Sequence, residues 1–139
     1  MKRNESIKTI MSSAVETVNL SNKVSDVRKL MSEKGIHHLP VTNGDKLVGV
    51  LSATDMMALN FSAYGADQRT VDVALDHEFS IQQVMKTDVV TLPETGTVRD
   101  AARVLQEGKF HSLPVVDGNH RLVGIVTSTD LIRYLVEQY

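Results

Sequence analysis

An internal duplication limits the fold of this chain more than anything else in it. Ile7 and Met11 recur as Ile81 and Met85, 74 positions on (81 − 7, 85 − 11). At the same offset Val24, Asp26, Glu33 and His37 recur as Val98, Asp100, Glu107 and His111. Leu39-Pro40-Val41 recurs as Leu113-Pro114-Val115. Past the next turn the offset is 75, so that Leu47-Val48-Gly49 matches Leu122-Val123-Gly124 and Asp55 matches Asp130. One extra residue in the second turn accounts for the slip. The copies span residues 1–62 and 79–139, with a connector at 63–78. A unit of roughly 60 residues buries too little surface to be comfortable alone, so the two copies are expected to share burial.

Each copy reads as the same series of elements. A short amphipathic stub, Ile7 to Met11 or Ile81 to Met85, leads into an extended apolar piece, Ala14 to Val18 or Asp88 to Leu92. A helix follows, near Val24 to Lys34 or Val98 to Gly108. In the second copy Val98, Ala101, Ala102, Val104 and Leu105 fall close to one helical face. Thr97 with Asp100 three residues on resembles a capping box. Next comes a hairpin: Leu39 to Thr42 and Leu47 to Leu51 joined through Asn43-Gly44-Asp45, or Leu113 to Val116 and Leu122 to Val126 joined through Asp117-Gly118-Asn119-His120. Asn-Gly and Asp-Gly favour such turns because they tolerate positive φ. The prolines fall at the first strand's start, where a missing N–H is tolerated. A second helix closes each copy, beginning with Met56, Met57 and Leu59 in one and carrying a stripe of Leu131, Ile132, Leu135 and Val136 in the other. Between the copies, Asn60 to Glu78 includes Gly65; Val71, Val73, Ala74 and Leu75 suit a helical turn or a strand equally. The fold class is therefore α+β: two β-α-β-β-α repeats packed sheet to sheet about a pseudo-two-fold axis.

Composition narrows the function. Phe and Tyr occur three times each and Trp is absent, so the core must be aliphatic. The net charge of −2 gives no drive toward nucleic acid or anionic lipid. Without cysteine there is no disulfide framework, thiolate nucleophile or cysteine-based metal site. The polar start, Met1 to Ser6, is not followed by a signal-peptide core, and runs such as Leu47 to Leu51 are too short to span a bilayer. A soluble cytoplasmic protein is the expectation. No Gly-x-Ser-x-Gly, His-Glu-x-x-His, Walker or Gly-x-Gly-x-x-Gly motif is present, so catalysis has little support.

The polar focus of each copy lies where the last strand runs into the closing helix. These corners are Gly49-Val50-Leu51-Ser52-Ala53-Thr54-Asp55 and Gly124-Ile125-Val126-Thr127-Ser128-Thr129-Asp130. The same kit of two hydroxyls and a carboxylate, found twice, points to two related small-molecule clefts. A carboxylate can accept from two neighbouring hydroxyls, as a ribose diol presents them, and negative charge is favoured at a helix start. Ser52 and Thr54, or Thr127 and Thr129, lie on the approach to N–H groups of the kind that hold phosphate. Ser, Thr and Asp are equally what any helix start uses for capping. Both readings stand at this point.

The chain resembles a tandem pair of CBS domains, the Bateman module. The residues that carry the resemblance are His38-Leu39-Pro40-Val41 with the Gly49 to Asp55 corner, and Ser112-Leu113-Pro114-Val115 with the Gly124 to Asp130 corner. One such motif is weak; two in register, covering nearly the whole chain, are specific. The resemblance implies a regulatory, non-enzymatic module whose clefts take an adenosine-containing ligand such as AMP, ADP, ATP or S-adenosylmethionine, with no required cofactor. It also implies a homodimer and an effector partner. The copies leave no room for an effector domain within the chain, so a stand-alone module is expected.

The resemblance further implies that each cleft draws on both repeats. Thr127, Thr129 and Asp130 would face Leu39-Pro40, and Ser52, Thr54 and Asp55 would face Leu113-Pro114. His37, His38 and His111 stand where the family often carries basic residues for phosphates; Ser112 replaces His38 in the second copy. Histidine would make phosphate binding pH-dependent, its ordinary pKa being about 6.5. A histidine satisfied by backbone is the plain alternative, and a metal site a third. Adenine walls by family position are Ala14, Val15, Val89, Leu39 and Leu113, each also a natural core residue. Arg69 and Lys86 read as surface charge rather than phosphate contacts. Two other functions remain: a ligand-free structural or adaptor dimer, and, more remotely, a metal-dependent nucleotide hydrolase.

Overall fold

The structure is a computed structural model that describes residues 4–59 and 67–139. In chain order a 3-10 turn (Ile7–Thr9) precedes β1 (Val18–Asn19), α1 (Val24–Lys34), β2 (His38–Asn43), β3 (Lys46–Ser52) and α2 (Ala53–Met57). The connector supplies α3 (Gln68–Glu78). The second copy gives α4 (Ile81–Val84), β4 (Leu92–Pro93), α5 (Val98–Leu105), β5 (Ser112–Val116), β6 (Leu122–Thr127) and α6 (Ser128–Glu137). The sheets run β1-β2-β3 and β4-β5-β6. β1 is parallel to β2, pairing Val18 with Val41, and β4 is parallel to β5, pairing Leu92 with Val115. The duplicated α+β design is as expected, with the strands before α1 and α5 shorter than the apolar runs suggested.

The chain divides into two compact units that do not follow the repeats. One holds 4–15, 45–47 and 90–139; the other holds 16–44, 48–59 and 67–89. The lead stub of each copy thus belongs with the body of the other. In the first unit Ile7 is fully buried in one core with Leu92, Ala101, Leu105, Leu113, Val115 and Val126. Backbone bonds fix it there: Ile7 N–H donates to Gly96 O (3.0 Å) and Val98 N–H to Glu5 O (2.9 Å). In the second unit Ile81 is fully buried with Val18, Val24, Val27, Leu39, Val41 and Leu51. Both cores are aliphatic, as the composition requires. Repetition reveals which segments are equivalent but not which of two equivalent partners a segment chooses.

Helix starts follow the residues that cap them. Thr97 N–H donates to Asp100 Oδ2 (2.9 Å) and Asp100 N–H to Thr97 Oγ1 (3.1 Å), closing the expected box on α5. α5 ends at Leu105, short of Gly108, which takes φ 76°. The 60–66 part of the connector, Gly65 included, lies outside the described residues. Its remainder is helical: α3 lies on α1 through Arg28, which donates from Nε and Nη2 to both oxygens of Asp72 (2.7 and 2.8 Å). Ser25 donates to Asp76 from N–H (2.9 Å) and from Oγ (2.6 Å).

Three local expectations need correcting. Pro40 and Pro114 are the third residues of their strands. Pro114 is tolerated because β4 covers only Val115 and Val116 of β5, leaving the strand one-sided before them. In the second hairpin the positive φ falls on His120 (62°) rather than Gly118, and the strands carry a register shift between Val115 and Val116. On α6 the apolar stripe is divided: Leu131 packs against the first unit's core, but Ile132, Leu135 and Val136 are exposed, and Tyr134 is the buried residue.

Candidate ligand corners

Each corner begins with a strand that must end in extended backbone and a helix that needs a cap. Ser52 (φ −108°, ψ 161°) and Thr127 (φ −114°, ψ 163°) supply both. Ser52 N–H donates to Asp55 Oδ2 (2.9 Å), and Asp55 N–H donates back to Ser52 Oγ (3.0 Å). Thr127 N–H donates to Asp130 Oδ2 (2.8 Å), and Asp130 N–H to Thr127 Oγ1 (3.1 Å). Capping is therefore real in both copies. It consumes one carboxylate oxygen and one hydroxyl. The second oxygen, Oδ1, stays outside the box and faces a cation: Lys86 Nζ at 3.5 Å from Asp55, Arg133 Nη1 at 3.3 Å from Asp130. Thr54 and Thr129 are exposed.

The crossed-over stubs complete the corners. Ser12 and Ile125 exchange backbone hydrogen bonds in both directions (2.9 Å each), as do Lys86 and Val50 (2.9 Å each). The stub thus lies along the strand that enters the corner, with Ala14 and Val15 just beyond it in the first unit and Val89 in the second. Ala14 is exposed; Val15 and Val89 are half-buried. Gly49 and Gly124 are the points of closest approach, since a Cβ there would lie 2.9 Å from Lys86 O and 3.0 Å from Ser12 O respectively.

Sorted by unit, the first brings together Ala14, Val15, His111, Leu113, Pro114, Thr127, Thr129 and Asp130. The second holds His37, His38, Leu39, Pro40, Ser52, Thr54, Asp55 and Val89. The histidines are exposed. His37 O accepts from Ala53 N–H (2.8 Å) and His111 O from Ser128 N–H (2.9 Å), which sets each beside the corner of its own copy. Leu39 and Leu113, at 0% and 1% exposure, are core residues, so their side chains are committed to packing. Among the described residues no group of three or more His, Asp or Glu is placed to hold a metal ion. No helix among them is long and apolar enough to cross a membrane.

Sequence reasoning missed several residues. Lys86 read as surface charge, and its side chain is indeed exposed, yet its ammonium meets Asp55. Arg133 was legible in principle, three residues after Asp130 on one helical face. A pocket of about 410 Å³ in the second unit, lined by Asp55, Ala58, Leu59, Glu78, Phe79, Gln83 and Val84, had no sequence signal, because α3 and α4 build half of it.

A duplicated α+β module with a capped hydroxyl-carboxylate corner in each copy defines the class. The CBS domain family model matches residues 7–60 and 81–137, and the chain belongs to that family as a tandem pair. An uncharacterized protein of Methanocaldococcus jannaschii, MJ1225, is 30% identical over 94% of this chain and 47% of its own length. The chain spans less than half the length of the curated relatives it first matches. Among solved structures, CBSX2 of Arabidopsis thaliana in complex with AMP superposes with a TM-score of 0.80 at 27% identity, over 96% of this chain and 98% of that one. The CBS domain pair of protein MJ0100, in complex with 5′-methylthioadenosine and S-adenosyl-L-methionine, gives 0.75 at 25% identity, over 98% and 99%.

Proposed function

We propose that this chain is a regulatory module that binds an adenosine-containing small molecule, AMP, ADP, ATP or S-adenosylmethionine, and does no chemistry on it. The observation that carries the reading is the repeated corner: a carboxylate fixed by its cap through Oδ2, with Oδ1 outside the box, beside a stub pinned to the entering strand. A fixed Oδ1 is an acceptor for a ribose hydroxyl. The adenosine compounds held by CBSX2 and MJ0100 support the ligand class. Ala14, Val15 and Val89 border adenine; Thr54, Thr129 and the histidines serve the phosphates.

Signalling follows as a population shift: a ligand moves an equilibrium only by its differential affinity for the two states. The partner that reads the shift is an effector protein, in the cytoplasm. Self-association is part of the reading, supported by Ile132, Leu135 and Val136, which stand exposed on one face of α6. Sedimentation of the purified chain should show a dimer that Ile132→Asp disrupts.

Thermal-shift and calorimetric titration against AMP, ADP, ATP and S-adenosylmethionine tests the ligand. One compound should raise the melting temperature, and Asp55→Ala or Asp130→Ala should abolish its binding at that corner. A flat response from a folded protein across the panel would overturn the ligand reading and favour the adaptor reading.

A further inference from the structure

The two cations at the Oδ1 atoms come from different places. Lys86 belongs to the stub whose backbone is bridged to Val50, whereas Arg133 is one turn along α6 from Asp130. The duplication makes the contrast explicit. The counterpart of Lys86 is Ser12 (86 − 74), and the counterpart of Arg133 is Ala58 (133 − 75). Each corner carries a cation that the other lacks. The pairs are also lopsided in exposure. The carboxylate side chains are 13% and 17% exposed and fixed by their caps, while the lysine and arginine are 71% and 64% exposed. An exposed ion pair at such distances is weak and readily exchanged.

We infer, resting on the ligand reading above, that Lys86 and Arg133 are the specificity-determining residues of the two corners. Each cation covers the carboxylate oxygen that a ribose diol would take, and turns to the ligand's phosphate when the diol displaces it. A neutral nucleoside displaces the cation and leaves it unpaired. A nucleotide displaces it and pairs it again, through a charge-assisted hydrogen bond. The corners therefore select phosphorylated adenosine over adenosine itself. They do so unequally, because a guanidinium grips phosphate with a planar fork and an ammonium acts as a point charge.

The test is calorimetry of the wild type, Lys86→Met and Arg133→Met with AMP, ATP and adenosine at one fixed salt concentration. Both side chains are exposed, so both variants should melt like the wild type. The wild type should prefer AMP or ATP to adenosine. Each variant should lower that preference about tenfold at its own corner, by weakening the nucleotide and not the nucleoside. A change in only one variant upholds the inference for that corner and overturns it for the other. Variants that bind AMP and ATP with the wild-type preference overturn it while the ligand reading stands. A wild type that binds none of the three overturns the inference, and overturns the ligand reading as well if ADP and S-adenosylmethionine also fail to bind.

Discussion

At Gly49 and Gly124 only a hydrogen atom fits. A Cβ on Gly124 would lie 2.7 Å from Met11 Sδ and 3.0 Å from Ser12 O; on Gly49, 2.6 Å from Met85 Sδ and 2.9 Å from Lys86 O. The thioethers can swing aside. The carbonyl oxygens cannot, because each accepts the strand's N–H in a two-way bridge. Gly49→Ala and Gly124→Ala should each cost about 1–3 kcal/mol in urea unfolding, the usual range for overpacking. Each should also weaken ligand binding by lifting the stub from its corner. Gly118→Ala is the control: nothing lies within 4 Å and its φ is not positive, so stability should be unchanged. The sequence displayed these glycines at matched positions in both corners but not what presses on them, since the contact joins residues far apart in the chain. The Thr97 and Asp100 pair, by contrast, was fully legible, because a capping box is written within four residues.

Whole elements were legible where one face is buried and ambiguous where polar ties decide. α1 runs over the residues its pattern indicated, whereas Val71, Val73, Ala74 and Leu75 fit a strand as well as a helix. What settles α3 is Asp72 and Asp76, four apart on one face, meeting Arg28 and Ser25 on α1. Val73 is 64% exposed and Leu75 buried, a helical outcome that alternation would not give. The hydrogen bond from Arg28 holds the Asp72 carboxyl below the usual carboxylate range. The lowered value fixes the sign of a pH effect. The contribution is fully present above the unfolded pKa of about 3.9, and is lost as pH falls through the folded value. Between pH 6 and pH 2.5 the amide signals of residues 68–78 should therefore lose their helical shifts ahead of β5 and β6. Asp72→Asn should remove this pair's share of the acid sensitivity and cost about 1 kcal/mol at pH 7.

For the molecule as a whole, the duplication was visible and the partition was not. The hydrophobic pattern says that Ile7 and Ile81 need burial; it cannot say in which of two equivalent cores. In the structure the chain passes between its compact units at residues 15–16, 44–45, 47–48 and 89–90. A fragment cut at the repeat boundary should therefore fail even though it holds every residue of one repeat. Fragment 1–62 carries the strands of the second unit but lacks Ile81, which is fully buried there, together with the α3 clasp and the Lys86 bridge to Val50. Burying one isoleucine contributes about 1.5–3 kcal/mol, a large share of what so small a body can muster. Fragment 16–89 is built from the same repeat but keeps Ile81, α3 and the bridge, and omits only segments assigned mainly to the other unit. Circular dichroism melts and amide NMR spectra should show a cooperative fold for 16–89 and none for 1–62. The reverse result would mean that each stub belongs with its own repeat. It would also dissolve the corners, because the lysine at Asp55 and the backbone beneath Gly49 both come from the stub at 81–86.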